Sequence, residues 1–447
     1  MEKGEGVNNL ESEIENVAKL FIEKSEGQEV YIISHFDTDG ITSATILIKT
    51  LKKLDKKFSV KIVKTLDEKF ISNLPKNKLI LFLDLASGSL HHIAKAELKE
   101  VFIIDHHEIT SDIPKEIHII NPEINGDHKM NASCLAYLFC KHLIPNANEL
   151  AKLAVLGMVG DSMDENINRL NNDVLIDGEI QKKRGLLLYP STRPLNRTLE
   201  YCSNPYIPGV TGNSEGVFEL LREAGLTPEK GRYKSLIELN EEEMSRLVTS
   251  IMLRNPQAKR RGIVGNIFLI KFFNKLEDAR ELSAMVNACS RLGRSDIALQ
   301  LCMEIPQAKK EAEAIHVKYK QFIISGLKFV ADAERVEGKG FVIINAKDNI
   351  KDTIIGTIAS ILSNSALYAD GTIITTMAYY EDNIKISARN VGETTRNLRQ
   401  MLSAVIDKIG GEVGGHEAAA GGMIKQTKEN EFIESLKKSL EIELVKV

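Results

Sequence analysis

The apolar run EVYIIS empties into His35-Phe36-Asp37-Thr38-Asp39-Gly40. KLILFL ends in Asp84, EVFII ends in Asp105-His106-His107, and the segment LAVLGMVG stops at Asp161. Carboxylates and imidazoles without a thiolate suit hard or borderline divalent ions such as Mn²⁺ or Mg²⁺. So many acids gathered in one place would repel one another unless cations sat between them. Two metal ions sharing a bridging carboxylate meet that requirement; such a pair lowers the pKa of a bridging water and clamps an in-line displacement at phosphorus. Each stop alone has a plainer reading: Asp39 as a helix N-cap, Asp84 as the cap of a turn, His106 as a hydrogen-bonded core imidazole. Their common placement, behind an apolar strand in three of the four cases, favours one shared site. If the first motif stays extended, His35, Asp37 and Asp39 share a face, because side chains alternate with period two. His91-His92 follow no strand and are expected at a solvated helix start, and His118, His128, His142 and His316 show no comparable context.

Those stops need elements to hold them. Residues 9–24 place Leu10, Ile14, Val17, Ala18, Phe21 and Ile22 at helical spacing. EVYIIS (29–34), FSVKIVK (58–64), KLILFLD (78–84), EVFIID (100–105) and EIHIIN (116–121) read as strands, and 41–54 reads as a helix. Continuous apolar strands alternating with helices predict a parallel sheet covered on both faces. In such open sheets the carboxyl ends of the strands converge on one crevice, which is where these acids lie. From about 130 to 160 the pattern turns helical, and 180–320 reads as mostly helical, with Pro-containing breaks near 190–208 and at Pro256 and a connecting helix at 305–325. Strands are expected again at 338–346, 371–380 and 383–390, with helices at 352–363, 393–409 and 428–440. The fold class is therefore α/β, with a second and smaller α/β unit at the C-terminus. No internal repeat or low-complexity tract interrupts it.

The second unit carries chemistry of its own. On NIKISARN, Ile384, Ile386 and Ala388 face one way while Lys385, Ser387 and Arg389 face the other, an open face in this reading. GGEVGGHEAAAGG (410–422) reads as a Gly-rich loop opening a run of small helix formers, with Gly414, Gly415 and His416 at its centre. Glycines let the backbone approach a ligand and free N–H groups attract phosphate, so an anion pocket is one reading. A small-residue helix packed closely on its sheet is the other.

The 447 residues carry 58 Lys+Arg against 62 Asp+Glu, a formal net charge of -4. That argues against a protein that coats nucleic acid with general basic charge, but not against local patches. Lys182, Lys183, Arg184, Arg193 and Arg197 lie in 181–199 with no acid, and Arg254, Lys259, Arg260, Arg261, Lys271 and Lys275 lie in 251–275 with no acid. These are solvated faces or contacts for a phosphate backbone. The five cysteines form no CxxC pair and are expected as buried apolar thiols in a reducing cytoplasm. The polar, acidic N-terminus is unlike a signal peptide, and no apolar run approaches the ~20 residues that span a bilayer, so no membrane association is expected.

The ordered set HFDTDG, Asp84, Asp105-His106-His107, GMVGD, SARN and GGHEAAAGG resembles the DHH phosphoesterase superfamily and its DHH-associated domain. NACSRLG (287–293) is similar to the Asn-Ala-x-Gly-Arg-Leu stretch of the RecJ nuclease branch, with Ser290 in place of the usual Gly. The length and the Lys- and Ile-rich composition look most like the archaeal RecJ-like nucleases. The resemblance implies a DHH catalytic domain at 1–180, a helical connector contacting nucleic acid at 181–325 and a DHH-associated substrate-binding domain at 326–447. It implies two divalent cations, Mn²⁺ before Mg²⁺, held by Asp37, Asp39, Asp84, His106 and Asp161, with Asp84 bridging and His35 a further ligand or close neighbour. Asp105 would orient His106, and His107 would face the scissile phosphate. Arg291, Ser387, Arg389, Gly414, Gly415 and His416 would grip substrate phosphates, and catalysis would lie between the two α/β units. The activity implied is exonucleolytic hydrolysis of single-stranded DNA or RNA in repair or replication. The rivals are an oligonucleotide or cyclic-dinucleotide phosphodiesterase, and a non-catalytic scaffold associated with GINS and the replicative helicase.

Overall fold

Five short runs of Val, Ile, Leu and Phe build the first sheet: β1 (Val30–His35), β2 (Phe58–Val63), β3 (Leu79–Leu83), β4 (Glu100–Ile104) and β5 (Ile117–Ile120). In this computed structural model every pairing among them is parallel, in the order β2-β1-β3-β4-β5. The description covers residues 5–109, 111–125, 130–165, 167–202, 207–254, 263–365, 367–392, 396–415 and 417–443. The alternation of side chains along each strand divides the core in two. Leu79, Leu81 and Leu83 pack under α1 (Glu5–Lys24), α2 (Thr38–Lys53), α5 (Ala132–Leu143) and α6 (Ala151–Gly160). Ile80 and Phe82 pack on the opposite face with α3 (Glu68–Ser72) and α4 (Leu90–Lys95). Strand order reverses between β1 and β3, so their carboxyl ends open a crevice at that point.

The chain divides into two compact units, Met1–Thr192 with Val264–His316, and Arg193–Ile263 with Val317–Val447. The first unit continues through α7 (Arg169–Asp177) to β6 (Gln181–Leu186) and leaves the chain's middle to the second unit, whose α8 (Leu195–Glu200), α9 (Ser214–Glu223) and α10 (Glu241–Arg254) follow. It resumes with β7 (Val264–Phe272), β8 (Lys275–Asp278), α11 (Ala279–Arg291) and α12 (Ser295–Cys302). β6, β7 and β8 form an antiparallel sheet, so the mostly helical reading of 180–320 is corrected there. The physical reason is range: Gln181 pairs with Leu269, and the four exposed polar residues that open β6 carry no alternation to announce a strand.

α13 (Pro306–Asp332) begins in the first unit and ends in the second, where it leads to a six-stranded sheet of order β13-β14-β12-β11-β10-β9. Its strands are β9 (Arg335–Gly338), β10 (Phe341–Asn345), β11 (Ile373–Tyr380), β12 (Asn383–Asn390), β13 (Gly411–Gly415) and β14 (Ala419–Lys425). Only β10 and β11 pair in parallel. α14 (Asp352–Ser363) packs on β11 and β12, while α15 (Leu398–Ile409) and α16 (Glu429–Glu443) share a core with Ile384, Ile386 and Ala388. The expected small-residue helix after Gly415 is instead the second strand of the β13–β14 hairpin. Glycines on both sides leave too few good helix formers to nucleate a turn, and strand pairing satisfies the backbone instead. All five cysteines are buried thiols outside any disulfide, as expected. Among the described residues no helix is long and apolar enough to cross a membrane.

Candidate metal centre

The carboxyl ends of β1, β3 and β4, with the end of α6, bring six of the predicted side chains together. Asp37 takes an extended backbone and its carboxylate accepts the Gly40 N–H at 3.1 Å, so α2 begins at Thr38. The motif therefore does not stay extended, and Asp39 lies inside the first helical turn rather than on one face with His35 and Asp37. Gly40 is required where α2 leaves β1, since a Cβ there would stand 2.2 Å from the His35 carbonyl oxygen. Asp39 is fully buried and reaches the start of α5, where its carboxylate accepts from Asn131 Nδ2 (2.6 Å), Ala132 N (2.8 Å) and Ser133 N (2.9 Å). Gly157 makes that approach possible: a Cβ on it would fall 2.6 Å from Asp39 Oδ1.

Asp84 ends β3 in the left-handed region, φ 59°, with Ala86 at φ 96°, the kind of backbone strain that functional turns retain. Its buried carboxylate faces two ways. Oδ2 lies 3.3 Å from His35 Nδ1, and Oδ1 lies 3.3 Å from His106 Nε2 without a hydrogen-bond alignment. His35 Nδ1 is also 3.0 Å from Asp37 Oδ2, and His106 Nε2 is 3.2 Å from Asp161 Oδ2 and 3.8 Å from Asp39 Oδ2. Among the described residues three sets have their donor atoms within 4.8 Å of one another. Two of them, His35–Asp37–Asp84 and Asp39–Asp84–His106–Asp161, are the candidate metal clusters, and the third, Asp84–His106–His107, sets His107 beside them. Asp84 belongs to all three.

The electrostatics record the crowding. Burial, reinforced by the charges of Asp161 and Asp84, pushes the Asp39 carboxyl well above the usual range. Burial and then the Asp37 charge raise Asp84 to about 6. Burial works against the imidazolium forms of His35 and His106, yet the surrounding carboxylates prevail, holding His35 at about 11 and His106 well above its ordinary value. Protonated imidazoles thus offset part of the negative charge, and Asp39 and Asp84 remain raised even so.

Asp105 departs from the expected role. Its Oδ1 accepts His107 Nδ1–H at 2.7 Å and the backbone N–H groups of His106 (2.8 Å) and His107 (3.3 Å), and Oδ2 accepts from Ser87 N at 2.9 Å. It orients the His107 ring, not that of His106. His107 is half-exposed, with Nδ1 committed to Asp105.

In the second unit the predicted open face of β12 is covered by α14. Ser387 is buried, and Arg389 Nε donates to Ser360 Oγ at 3.0 Å while Nη1 donates to the Ala388 carbonyl at 2.8 Å. Gly414 and Gly415 lie exposed on β13, and His416 is outside the described residues. Arg291 ends α11, half-buried. His91 and His92 follow Leu90 in the first turn of α4, His91 exposed as expected and His92 half-buried. Of the basic stretches, Lys182, Lys183 and Arg184 are exposed on β6, Arg254 is paired with Glu223 at 2.7 Å, and Lys259, Arg260 and Arg261 fall outside the described residues. Sequence reasoning missed Asn131, Ser133 and Ser360, of which only Asn131, preceding an apolar helical run, left a capping signal.

Residues 29–158 match the DHH family, N-terminal domain, 188–261 match the DHH-CID domain, and 338–441 match the DHHA1 domain. The chain belongs to the DHH superfamily. This DHH protein is 29% identical to an uncharacterised protein of Methanocaldococcus jannaschii over 94% of this chain and 96% of the other. It is 26% identical to the single-stranded-DNA-specific exonuclease RecJ of Bacillus subtilis over 32% of this chain and 20% of that protein. RecJ of Thermus thermophilus, solved in complex with Mn²⁺, superposes with a TM-score of 0.61 at 16% identity, covering 95% of this chain and 54% of that one, so this chain spans about half of that RecJ. CDC45 from Entamoeba histolytica superposes with a TM-score of 0.68 at 11% identity, covering 96% and 99%. At those identities the likeness is one of fold, and the fold is RecJ-like.

Proposed function

We propose that this DHH protein is a two-metal exonuclease that hydrolyses phosphodiester bonds of single-stranded DNA or RNA, with Mn²⁺ as the preferred cation and Mg²⁺ as the alternative. The observation that carries the reading is Asp84, one carboxylate with an oxygen on each of two donor clusters. Oδ1 is buried, lacks a hydrogen-bond donor and lies among oxygen and nitrogen donors alone, which fits a hard or borderline divalent ion. Membership in a phosphoesterase superfamily and the RecJ relatives support a hydrolase of this class.

His35, Asp37 and Asp84 would hold one cation, and Asp39, Asp84, His106 and Asp161 the other. Bound there, the pair supplies Lewis acidity and a water of lowered pKa. The protein's own groups do the rest. Asp39 is kept in place by the start of α5, and Asp105 fixes His107 through Nδ1, leaving Nε2 to donate to an oxygen of the phosphate where charge develops. Arg291, Arg389 and the Gly414–His416 segment are proposed to grip flanking phosphates, whereas Ser387, buried beneath α14, is left out of that role.

Digestion of 5′-labelled and 3′-labelled single-stranded DNA and RNA with Mn²⁺ tests the reading. A ladder shortened from one end is expected. Cleavage confined to dinucleotides would favour the short-oligonucleotide phosphodiesterase, and negligible hydrolysis of all substrates would favour a non-catalytic scaffold.

A further inference from the structure

Asp37 and Asp39 are separated by one residue, yet their carboxylates serve different clusters. Thr38 lies between them and is buried. Thr38 is not held by its own motif. Its N–H donates to Asn287 Oδ1 at 3.1 Å, its hydroxyl donates to the Ser283 carbonyl at 3.1 Å, and the Ser283 hydroxyl lies 3.2 Å away. Ser283 and Asn287 stand four residues apart on α11 and so share one face.

The Thr38 N–H is one of the first in α2, a position where no intrahelical acceptor exists. The cap that Asp37 provides goes to Gly40, so Asn287 meets the need that the cap leaves. Without that acceptor a desolvated N–H would be unpaired, and the turn would have to shift to find water or another oxygen. The next residue, Asp39, is tied to α5 and cannot follow such a shift freely. Any movement would therefore fall on Asp37 and on its separation from Asp39.

We propose that Asn287 is a positioning residue of the metal centre: the acceptor it offers Thr38 fixes the turn that sends Asp37 to one oxygen of Asp84 and Asp39 to the cluster at the other. The inference rests on the two-metal reading and adds a residue 249 positions away in sequence to the site.

Chelator-treated full-length protein is titrated with Mn²⁺ alone by isothermal calorimetry, and the bound Mn²⁺ is followed by electron paramagnetic resonance, where a bridged pair gives a coupled spectrum. N287L keeps the volume and removes the acceptor; N287D keeps the acceptor oxygen. N287L is expected to bind Mn²⁺ about 10- to 100-fold more weakly and to lose the coupled signal, as changes to groups that orient metal ligands do. N287D is expected to retain both. In the metal-free protein the Thr38 amide should exchange faster in N287L than in the parent. If N287L melts lower yet binds Mn²⁺ with parental affinity and the coupled spectrum, Asn287 is a packing residue and the proposal is overturned. If the parent itself binds no Mn²⁺, the two-metal reading fails and the proposal with it. Should N287L not fold, N287S removes most of the reach of the acceptor with less bulk and is read against the same expectations.

Discussion

The two sets of chemistry-bearing side chains in this molecule are held in opposite ways. At the ends of β1, β3 and β4 the functional groups press on one another: Asp39 and Asp84 are driven toward their protonated forms, His35 and His106 toward their charged forms, and Asp84 Oδ1 is buried without a donor. On β12 the scaffold satisfies the functional groups, with Arg389 bonded to Ser360 and to main-chain carbonyls beneath α14. The first arrangement is costly unless something cationic arrives, and the second is stable as it stands. Strained electrostatics at the convergence of several elements is therefore the better guide to where bonds are broken. A satisfied arginine guides binding at most.

The sharpest way to break the comparison is at Asp84. D84A removes a donor from both clusters at once and is expected to lower Mn²⁺-dependent phosphodiester hydrolysis by about 10³-fold or more, since several kcal/mol of metal-derived stabilisation are lost. Single-turnover assays with saturating Mn²⁺ check it, and activity within tenfold of the parent would mean that Asp84 bridges nothing. His107 comes next. H107A leaves both clusters intact and is expected to cost about 10²-fold in kcat with Mn²⁺ affinity unchanged, the scale of one donor to a developing charge. D105N keeps the oxygen that accepts from the backbone and weakens the hold on the His107 ring, and it should fall between the parent and H107A. A larger loss in D105N than in H107A would point to a role for Asp105 beyond the His107 ring.

A smaller effect is read on the metal-free protein. A carboxyl whose folded pKa is about 6 against 3.8 unfolded contributes stability that is full below 3.8 and disappears as pH rises through 6. Between pH 4 and 7.5 the chelated parent should lose up to about 3 kcal/mol relative to D84N, in which that proton equilibrium is absent. Mn²⁺ should reverse the order, stabilising the parent more at pH 7.5 than at pH 5, because His35 and His106 must release protons to become ligands. Thermal melts of both proteins across that range, with and without Mn²⁺, decide it; identical pH profiles for parent and D84N would remove the electrostatic half of the comparison.

The contrast between the regions also explains what was legible in the sequence. All of the acids but Asp161, which ends a helix, could be located because they follow a short strand that is apolar on both faces, a pattern local enough to read, and a parallel sheet carries such strand ends to one edge. The course of the chain after the strand was harder. His35, Asp37 and Asp39 looked like alternate positions of an extended segment, but the capping preference of Asp37 started a helix one residue later and sent the two carboxylates apart. Long-range partners left almost no trace. Nothing in QKKRGL announces a strand whose partner begins at Val264, and nothing in HFDTDG names α5 as the holder of Asp39. The same limit applies on β12: alternation put Ser387 and Arg389 on one face, but which helix would cover that face is a tertiary fact.

The satisfied region yields the mildest prediction. R389A removes a guanidinium that already spends its Nε on Ser360 and its Nη1 on Ala388, so only the capacity left over can meet a phosphate. Its loss should raise KM for long single strands by about 10-fold, one charge-assisted contact, while kcat and the hydrolysis of mononucleotide esters stay near parental values. A fall in kcat on both substrates would place Arg389 with the reacting phosphate instead. No change on either would show that α14 has closed this face to substrate, and that the scaffold holding Arg389 is the whole of its purpose.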